Sequence, residues 1–492
     1  MATFSRSPTY IQTLSLGGAA VACTVLACAA MVLMFLGFLT GDDGLVFASA
    51  AFMAFVIPMG AGLLRGRSFD PFEPINMVAL AILYGTTLRG IWLLTSSSSR
   101  VEFIMMGTTM GEVTANAPLI LLSLVAMTAG YIVMPVRLPL ERLNYIRNYA
   151  FSRSRLKFAV LATVVTSMIG IPWIIVEYGI TLQNGILGLS LKRVTTYVSS
   201  EGELIYGAGF QRWLSYAVQH GFTLLAACLL ARIVQPRPAT IAAVIALGVM
   251  SMITPFLVSS RSSLVLLMLH LSIFAFYYRR LSIKVLSVVF VVSVVLLAVL
   301  GAVRELNMAG IQRDYSGLDR VLGAGNSFDF VRTSAIMDRV PDVVPYQYGA
   351  TYAGLIGAAV PKAIWPDKPA VGLGTFVKGK IFGESTRAGG WPSGMVAEGW
   401  INFGLFGLFG PLFLFGCMLR FFYESVRPLL GISFPITLLY AVSIWRFGFG
   451  MIGMNFSHGI AQTLGYMLPT IILLVIAKAP RARVPVRRLA RA

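Results

Sequence analysis

Charged residues are scarce in this chain of 492, at 12% of the total, whereas a water-exposed surface needs roughly twice that share. That shortage excludes an ordinary soluble globular protein. Acidic side chains are scarcer still, 20 Asp and Glu against 39 Lys and Arg, for a net charge of +19. There are four cysteines, Cys23, Cys28, Cys228 and Cys417, all within apolar runs, which argues against a disulfide framework or a CxxC metal site and leaves the redox compartment unread. Histidines number three. No short apolar stretch with a small-residue cleavage site precedes a soluble domain, so the first apolar run is expected to be an uncleaved transmembrane helix.

What is abundant is apolar surface. Hydrophobic residues make up 57% of the chain and mean hydropathy is +0.79. Runs of about 20 apolar residues, enough to cross about 30 Å of hydrocarbon, fall near 15–39, 44–64, 75–95, 117–136, 158–180, 214–234, 239–258, 262–278, 285–303, 394–419, 429–450 and 457–477. The expectation is an all-α, polytopic integral membrane protein of about 12 transmembrane helices. Glycine and methionine, at 48 and 22, suit helices packed against one another in lipid.

Basic residues orient the bundle. Segments 137–157, 279–284 and 478–491 are rich in Lys and Arg, and with twelve crossings they fall on one side together with Arg6, Arg65, Arg67, Arg232, Arg237, Arg420 and Arg427. The positive-inside rule makes that side cytoplasmic and puts both termini there. The net positive charge is thereby explained by topology, without nucleic acid. Residues 1–303 then hold helices 1–9, 304–393 form a long outward loop, 394–478 hold helices 10–12, and 479–492 are a basic cytoplasmic tail. A loop of about ninety residues in a compact protein is usually functional. Within it TYAGLIGAAV is apolar but too short to span, hence a re-entrant or interfacial candidate.

Charges at membrane depth are costly and point to function. Arg89 lies about six residues below the outer end of the third helix, Arg261 caps the outer hairpin of helices 7 and 8, Arg304 ends the ninth, and Arg446 falls in the outer half of the eleventh. Each can snorkel to the interface; four together favour an anionic ligand at the outer face, since guanidinium matches phosphate geometry. Arg332 and other loop cations are also explained as solvated charges. Glu398 and Asn402, four apart, share one helix face; the carboxylate suits a general base or, equally, a helix N-terminus. His458 is the only histidine near the outer face on this topology and is either structural or catalytic. The outer loops contain no DxD and the chain no HExxH or Walker sequence, so no metal or nucleotide cofactor is expected. Asp42 and Asp43 occupy a loop of about four residues, which reads as a simple turn.

The most distinctive stretch is PKAIWPDKP at 361–369, in which prolines hold Lys362, Trp365, Asp367 and Lys368 in a stiff array. With YQYGATYAGLIGAAV before it and GMVAEGWINFGLFGLFG after it, it resembles the signature region of Wzy-type oligosaccharide repeat-unit polymerases over roughly 345–410. SSRSSLVLLML at 259–269 is similar to that family's small-Arg-small step. The resemblance implies a metal-independent GT-C-like glycosyltransferase acting on undecaprenyl-pyrophosphate-linked glycans at the periplasmic face of a bacterial inner membrane, with membrane lipids and a chain-length regulator protein as partners. It implies phosphate contacts from Arg261, Arg304, Arg332 and Arg446, with Lys362 and Lys368 as further candidates. Glu398 is the first choice for base, then Asp367 and His458. The family often has arginine at the position of Lys362, so bidentate binding is in question there. An O-antigen ligase, a lipid-linked oligosaccharide flippase or transporter and a non-catalytic scaffold are the alternatives; a transporter needs charges through the full membrane depth, and none stands out near an inner gate.

Overall fold

The computed structural model describes residues 16–64, 70–95, 103–104, 106–142, 149–177, 214–257, 261–279, 328–358, 372–384 and 390–479, with isolated positions at 281, 285, 288, 289, 291, 292, 295, 360 and 365. Among them the chain is helical, with no strand and one isolated bridge, Phe151 to Lys478. The long helices are α1 Leu16–Thr40, α2 Asp43–Leu64, α3 Pro74–Thr95, α4 Met110–Val133, α5 Arg153–Glu177, α6 Ala217–Leu230, α7 Pro238–Leu257 and α8 Arg261–Arg279. There follow two short helices, α9 Phe330–Arg339 and α10 Ala350–Ala358, then α11 Met395–Phe403, α12 Leu405–Val426, α13 Phe434–Gly453 and α14 Phe456–Ala477.

Nine of the described helices are long and apolar enough to cross a membrane, and two shorter apolar ones, Ala217–Leu230 and Val265–Tyr278, lie among them. The chain is a polytopic membrane protein. Each of these eleven overlaps one of the apolar runs; the remaining run, 285–303, falls outside the described residues apart from isolated positions. Helix α1 shows why hydropathy alone finds such elements: Val25, Val32, Phe35 and Leu39 are exposed, so it is apolar toward its surroundings as well as toward α2.

Helix ends follow local chemistry. Thr109 caps α4 in a reciprocal box, its hydroxyl accepting from Glu112 N and the Glu112 carboxylate accepting from Thr109 N at 2.7 Å. Pro74 opens α3, where a missing N–H costs nothing. Asp329 caps α9 by accepting from Val331 N at 3.0 Å. Helices α4 and α12 cross backbone to backbone: a Cβ at Gly416 would come to 1.9 Å from Met127 O, and one at Gly130 to 2.0 Å from Phe413 O.

The expected tenth span, 394–419, is not one helix. It breaks at Gly404, whose φ of 57° and ψ of −133° are accessible to glycine, and α11 doubles back against α12. The two backbones touch at Gly399 and Gly407, where a Cβ on Gly407 would lie 1.8 Å from Gly399 O. Apolar composition on both sides of Gly404 made two antiparallel pieces read as one run. TYAGLIGAAV forms α10, nine residues long, packed on α14.

Two hydrophobic cores divide the bundle. One joins α2, α3, α4, α9, α11 and α12 around Phe47, Ile82, Phe330 and Leu412, at the end where segment 328–404 lies, here termed the loop end. The other joins α5, α6, α8, α13 and α14 around Leu224, Phe274, Phe434 and Leu438, toward the opposite, basic end. A smaller cluster of Ile336, Val340, Leu373, Val377, Ile381, Ala397 and Ile401 fastens the short helices of the loop end together.

Candidate functional site

Helix α3 carries a π-helical turn at Leu83–Leu88, and Arg89 follows it immediately. Its Nη2 lies 3.4 Å from Asp329 Oδ2, and Arg332 Nη2 lies 3.9 Å from the same oxygen. Arg89, Asp329 and Arg332 are 2%, 4% and 5% exposed. Thr86 Oγ1 donates to Phe328 O at 2.9 Å and Arg332 Nη1 to Pro392 O at 3.2 Å, so the triad pins α9 and the approach to α11 onto α3. The two arginines singled out from sequence here are both buried beside one carboxylate, which ties α3 to α9. Asp329 was missed, although an Asp directly before the amphipathic FVRTSAIMDR is a helix-cap signal.

Glu398 and Asn402 lie on one face of α11, as their spacing predicts, and both are 0% exposed. Glu398 Oε1 accepts from Thr351 Oγ1 at 3.0 Å, while Oε2 accepts from Phe456 N at the start of α14. Asn402 Nδ2 donates to Thr351 Oγ1 at 2.7 Å and to Glu398 O at 2.8 Å, and its Oδ1 accepts from Gly349 N at 2.9 Å. Ser457 Oγ donates to Thr351 O at 2.9 Å, and Leu373 N to Asn455 Oδ1 at 3.4 Å. Four segments separated in sequence, 347–351, 372–373, 394–404 and 455–457, thus meet at one carboxyl group. Burial pushes its pKa up to about 7, against the opposing pull of donors from Phe456 N, Thr351 and Asn455. A carboxyl that titrates near neutrality can take or give a proton at working pH.

Arg446 is elsewhere. It rises from the π turn Trp445–Gly450 of α13 and faces Tyr466, with Nη2 3.5 Å from the phenol oxygen. Tyr466 is ten residues into α14, about 15 Å along a helix of 1.5 Å rise per residue, and Arg446 is the thirteenth of the twenty residues of α13. His458 is half-buried, two residues beyond the Phe456 amide that meets Glu398, and pairs with Gln462 at 2.6 Å.

Arg261 opens α8, its side chain outside the described residues, and Arg304, Lys362, Asp367 and Lys368 also lie outside them. Trp365 is described and 41% exposed. The site that the structure assembles therefore consists of Glu398, Asn402, Thr351, Asn455 and the α14 start, flanked by the Arg89, Asp329 and Arg332 lock. Among the described residues no group of three or more His, Cys, Asp and Glu side chains gathers as metal ligands would.

A second buried polar cluster at the basic end escaped sequence reading. Asp70, 4% exposed, accepts from Tyr277 OH at 2.8 Å, Tyr423 OH at 2.7 Å and Phe72 N at 3.0 Å. Burial raises its pKa. Beside it Tyr440 OH donates to Phe72 O, and Tyr131 OH to Glu73 Oε1. The signal was DPFEP, two acids between prolines in a short connection, which reads as a solvated loop until its tyrosine partners are known.

No family model, no curated protein and no solved structure matches this chain.

Proposed function

We propose that this chain is a membrane glycosyltransferase of the GT-C type that polymerises undecaprenyl-pyrophosphate-linked repeat units at the periplasmic face of the inner membrane, with both termini cytoplasmic. The observation that carries the reading is the fully buried carboxyl of Glu398, hydrogen-bonded to Thr351 and to the Phe456 amide where the segments on both sides of PKAIWPDKP converge. In the reaction the acceptor hydroxyl loses its proton to the carboxylate, its oxygen attacks the anomeric carbon of the lipid-linked glycan, and the bond to the pyrophosphate oxygen breaks with its electron pair. Cations near the outer face, Arg261, Arg304, Lys362 and Lys368, stabilise that leaving group electrostatically, a task that needs no metal. Because Glu398 is fully buried, substrate entry requires α11 to shift on its Gly404 hinge.

The test is polymer formation by purified protein from lipid-linked repeat units in the presence of EDTA, resolved on a gel. A ladder from the wild type that disappears in Glu398→Gln and Arg261→Ala supports the proposal. No ladder from folded wild-type protein favours ligase or transport. Transport of the same lipid-linked glycan is the second reading, favoured by the polar groups at mid-depth and by Asp70 at the opposite end.

A further inference from the structure

The three histidines of the chain all lie along one stripe of α14 or against it, although they come from three different helices. On α14 the stripe is His458, Gln462, Tyr466 and Thr470, each four residues from the next and so on one face. His458 Nε2 is 2.6 Å from Gln462 Nε2, and His220 Nδ1 of α6 is 3.2 Å from Thr470 Oγ1. The rings of His220 and of His270, from α8, stand with centroids 6.0 Å from that of Tyr466, and the Arg446 guanidinium carbon is 5.2 Å from the same centroid. One permanent cation and two imidazoles thus face a single tyrosine, with the third imidazole, His458, further along the stripe against Gln462.

Three atoms of this cluster have no hydrogen-bond partner among the described residues: Arg446 Nε, His270 Nε2 and Gln462 Oε1. His270 is 3% exposed, so water does not supply the missing bond from bulk. Among the described residues no carboxylate lies within 4 Å of the Arg446 guanidinium. The contrast with Arg89 and Arg420, which have Asp329 and Glu424 at 3.4 and 3.2 Å, is direct. A guanidinium at membrane depth with only a tyrosine for company is costly, and such groups mark ligand sites. Arg446, His220, Gln462 and Tyr466 are half-buried, so part of each side chain remains accessible.

We propose that Arg446, His270, His220, Tyr466 and Gln462 form a mid-depth binding site for a phosphate-class oxyanion. Arg446 supplies the charge and two faces of donors, and His270 Nε2 supplies a neutral N–H when the proton is on that nitrogen. Gln462 Oε1 accepts from a protonated phosphate hydroxyl. Donors reach the site from α6, α8, α13 and α14, and a tetrahedral anion is met from several directions, whereas a carboxylate is satisfied in one plane. The anion comes from a lipid headgroup or from free phosphate, and the chemistry is shared.

The site is tested by binding, without any lipid-linked glycan, so the result is independent of whether polymer forms. Inorganic phosphate and pyrophosphate are titrated calorimetrically into purified protein, and nanodiscs of phosphatidylglycerol or of phosphatidylcholine are compared by native mass spectrometry for retained lipid. Binding of the free ions assigns the site to a soluble phosphate; selective retention of phosphatidylglycerol assigns it to a headgroup. Either is expected to weaken at least tenfold in Arg446→Gln and several-fold in His270→Asn. Arg446→Lys is expected to fall between. If Arg446→Gln does not fold by circular dichroism and gel filtration, His270→Asn and Gln462→Leu carry the test. Absence of both kinds of binding in the wild type overturns the proposal, as does wild-type binding in the folded variants.

Discussion

Glu398 at the loop end and Asp70 at the basic end are both buried carboxyls whose pKa is raised by desolvation, yet their surroundings differ in kind. Asp70 is gripped by two tyrosines projecting from the spanning helices α8 and α12, with a third donor from its own loop. Glu398 is gripped by a threonine on the nine-residue α10 and by the amide that starts α14, and it stands on the nine-residue α11 beside a glycine hinge. Rigid spans on every side make the first carboxyl a clamp. Short elements that can shift as units make the second a group that can be uncovered, and elements drawn from the low-stability end of a fold are the ones that move in function.

The sharpest way to break this comparison is at the backbone contact between α11 and α12 beside the hinge. Gly407→Ala places a Cβ 1.8 Å from Gly399 O, a clash with backbone that a rotamer change cannot relieve. The α11 hairpin is expected to open, with loss of polymer and a fall in thermal midpoint in detergent, at a cost above the 1–3 kcal/mol usual for overpacking. An equivalent alanine at Gly60, where a Cβ meets nothing within 4 Å, leaves both unchanged.

Next in size is Glu398→Gln. A lost general base lowers the rate by about 10²–10⁴-fold, whereas the amide keeps the shape of the site. The pH dependence separates base from clamp. On the proposed function the carboxylate is the active form, so the wild-type rate is expected to rise with pH through about 7 and the residual rate of Glu398→Gln to lack that step. Stability runs the other way. With the folded pKa above the unfolded value of 4.5, the contribution of Glu398 is fully present below about 4.5 and is lost as pH rises through about 7. The variant's thermal midpoint is expected to be flatter across that window.

Asp70→Ala inverts the pattern. It leaves the hydroxyls of Tyr277 and Tyr423 buried without their acceptor, which costs about 3 kcal/mol at 1–3 kcal/mol per stranded group. The thermal midpoint drops, while the pH profile of the remaining activity stays as in the wild type. A shifted profile would mean that the two ends are coupled.

Sequence made most of the spanning helices legible because apolar length is a composition signal, and it placed Glu398 with Asn402 because a spacing of four survives any packing. It could not show that 394–419 folds back, since glycines at 399, 404 and 407 are ordinary in membrane helices and only their mutual contact gives them meaning. Nor could it pair Arg89 with Asp329, or bring His220 and His270 against Tyr466, because those partners are far apart along the chain. Asp70 shows the limit from another side: its acceptor role depends on two tyrosine hydroxyls that look, in sequence, like interfacial aromatics.

The smallest effect tests the loop-end geometry most finely. Thr351 Oγ1 donates to Glu398 Oε1 while accepting from Asn402 Nδ2, so one hydroxyl links the carboxyl to the helix that carries it. Thr351→Val keeps the volume and removes the donor. A carboxylate that loses one hydrogen bond is less favoured over its acid, by about 1 kcal/mol or somewhat under one pH unit. The midpoint of the rate profile is then expected to move upward from about 7 by that amount, with little change in the plateau rate at high pH. Were Glu398 only a clamp like Asp70, the same substitution would lower the thermal midpoint and leave the midpoint of the rate profile where it was.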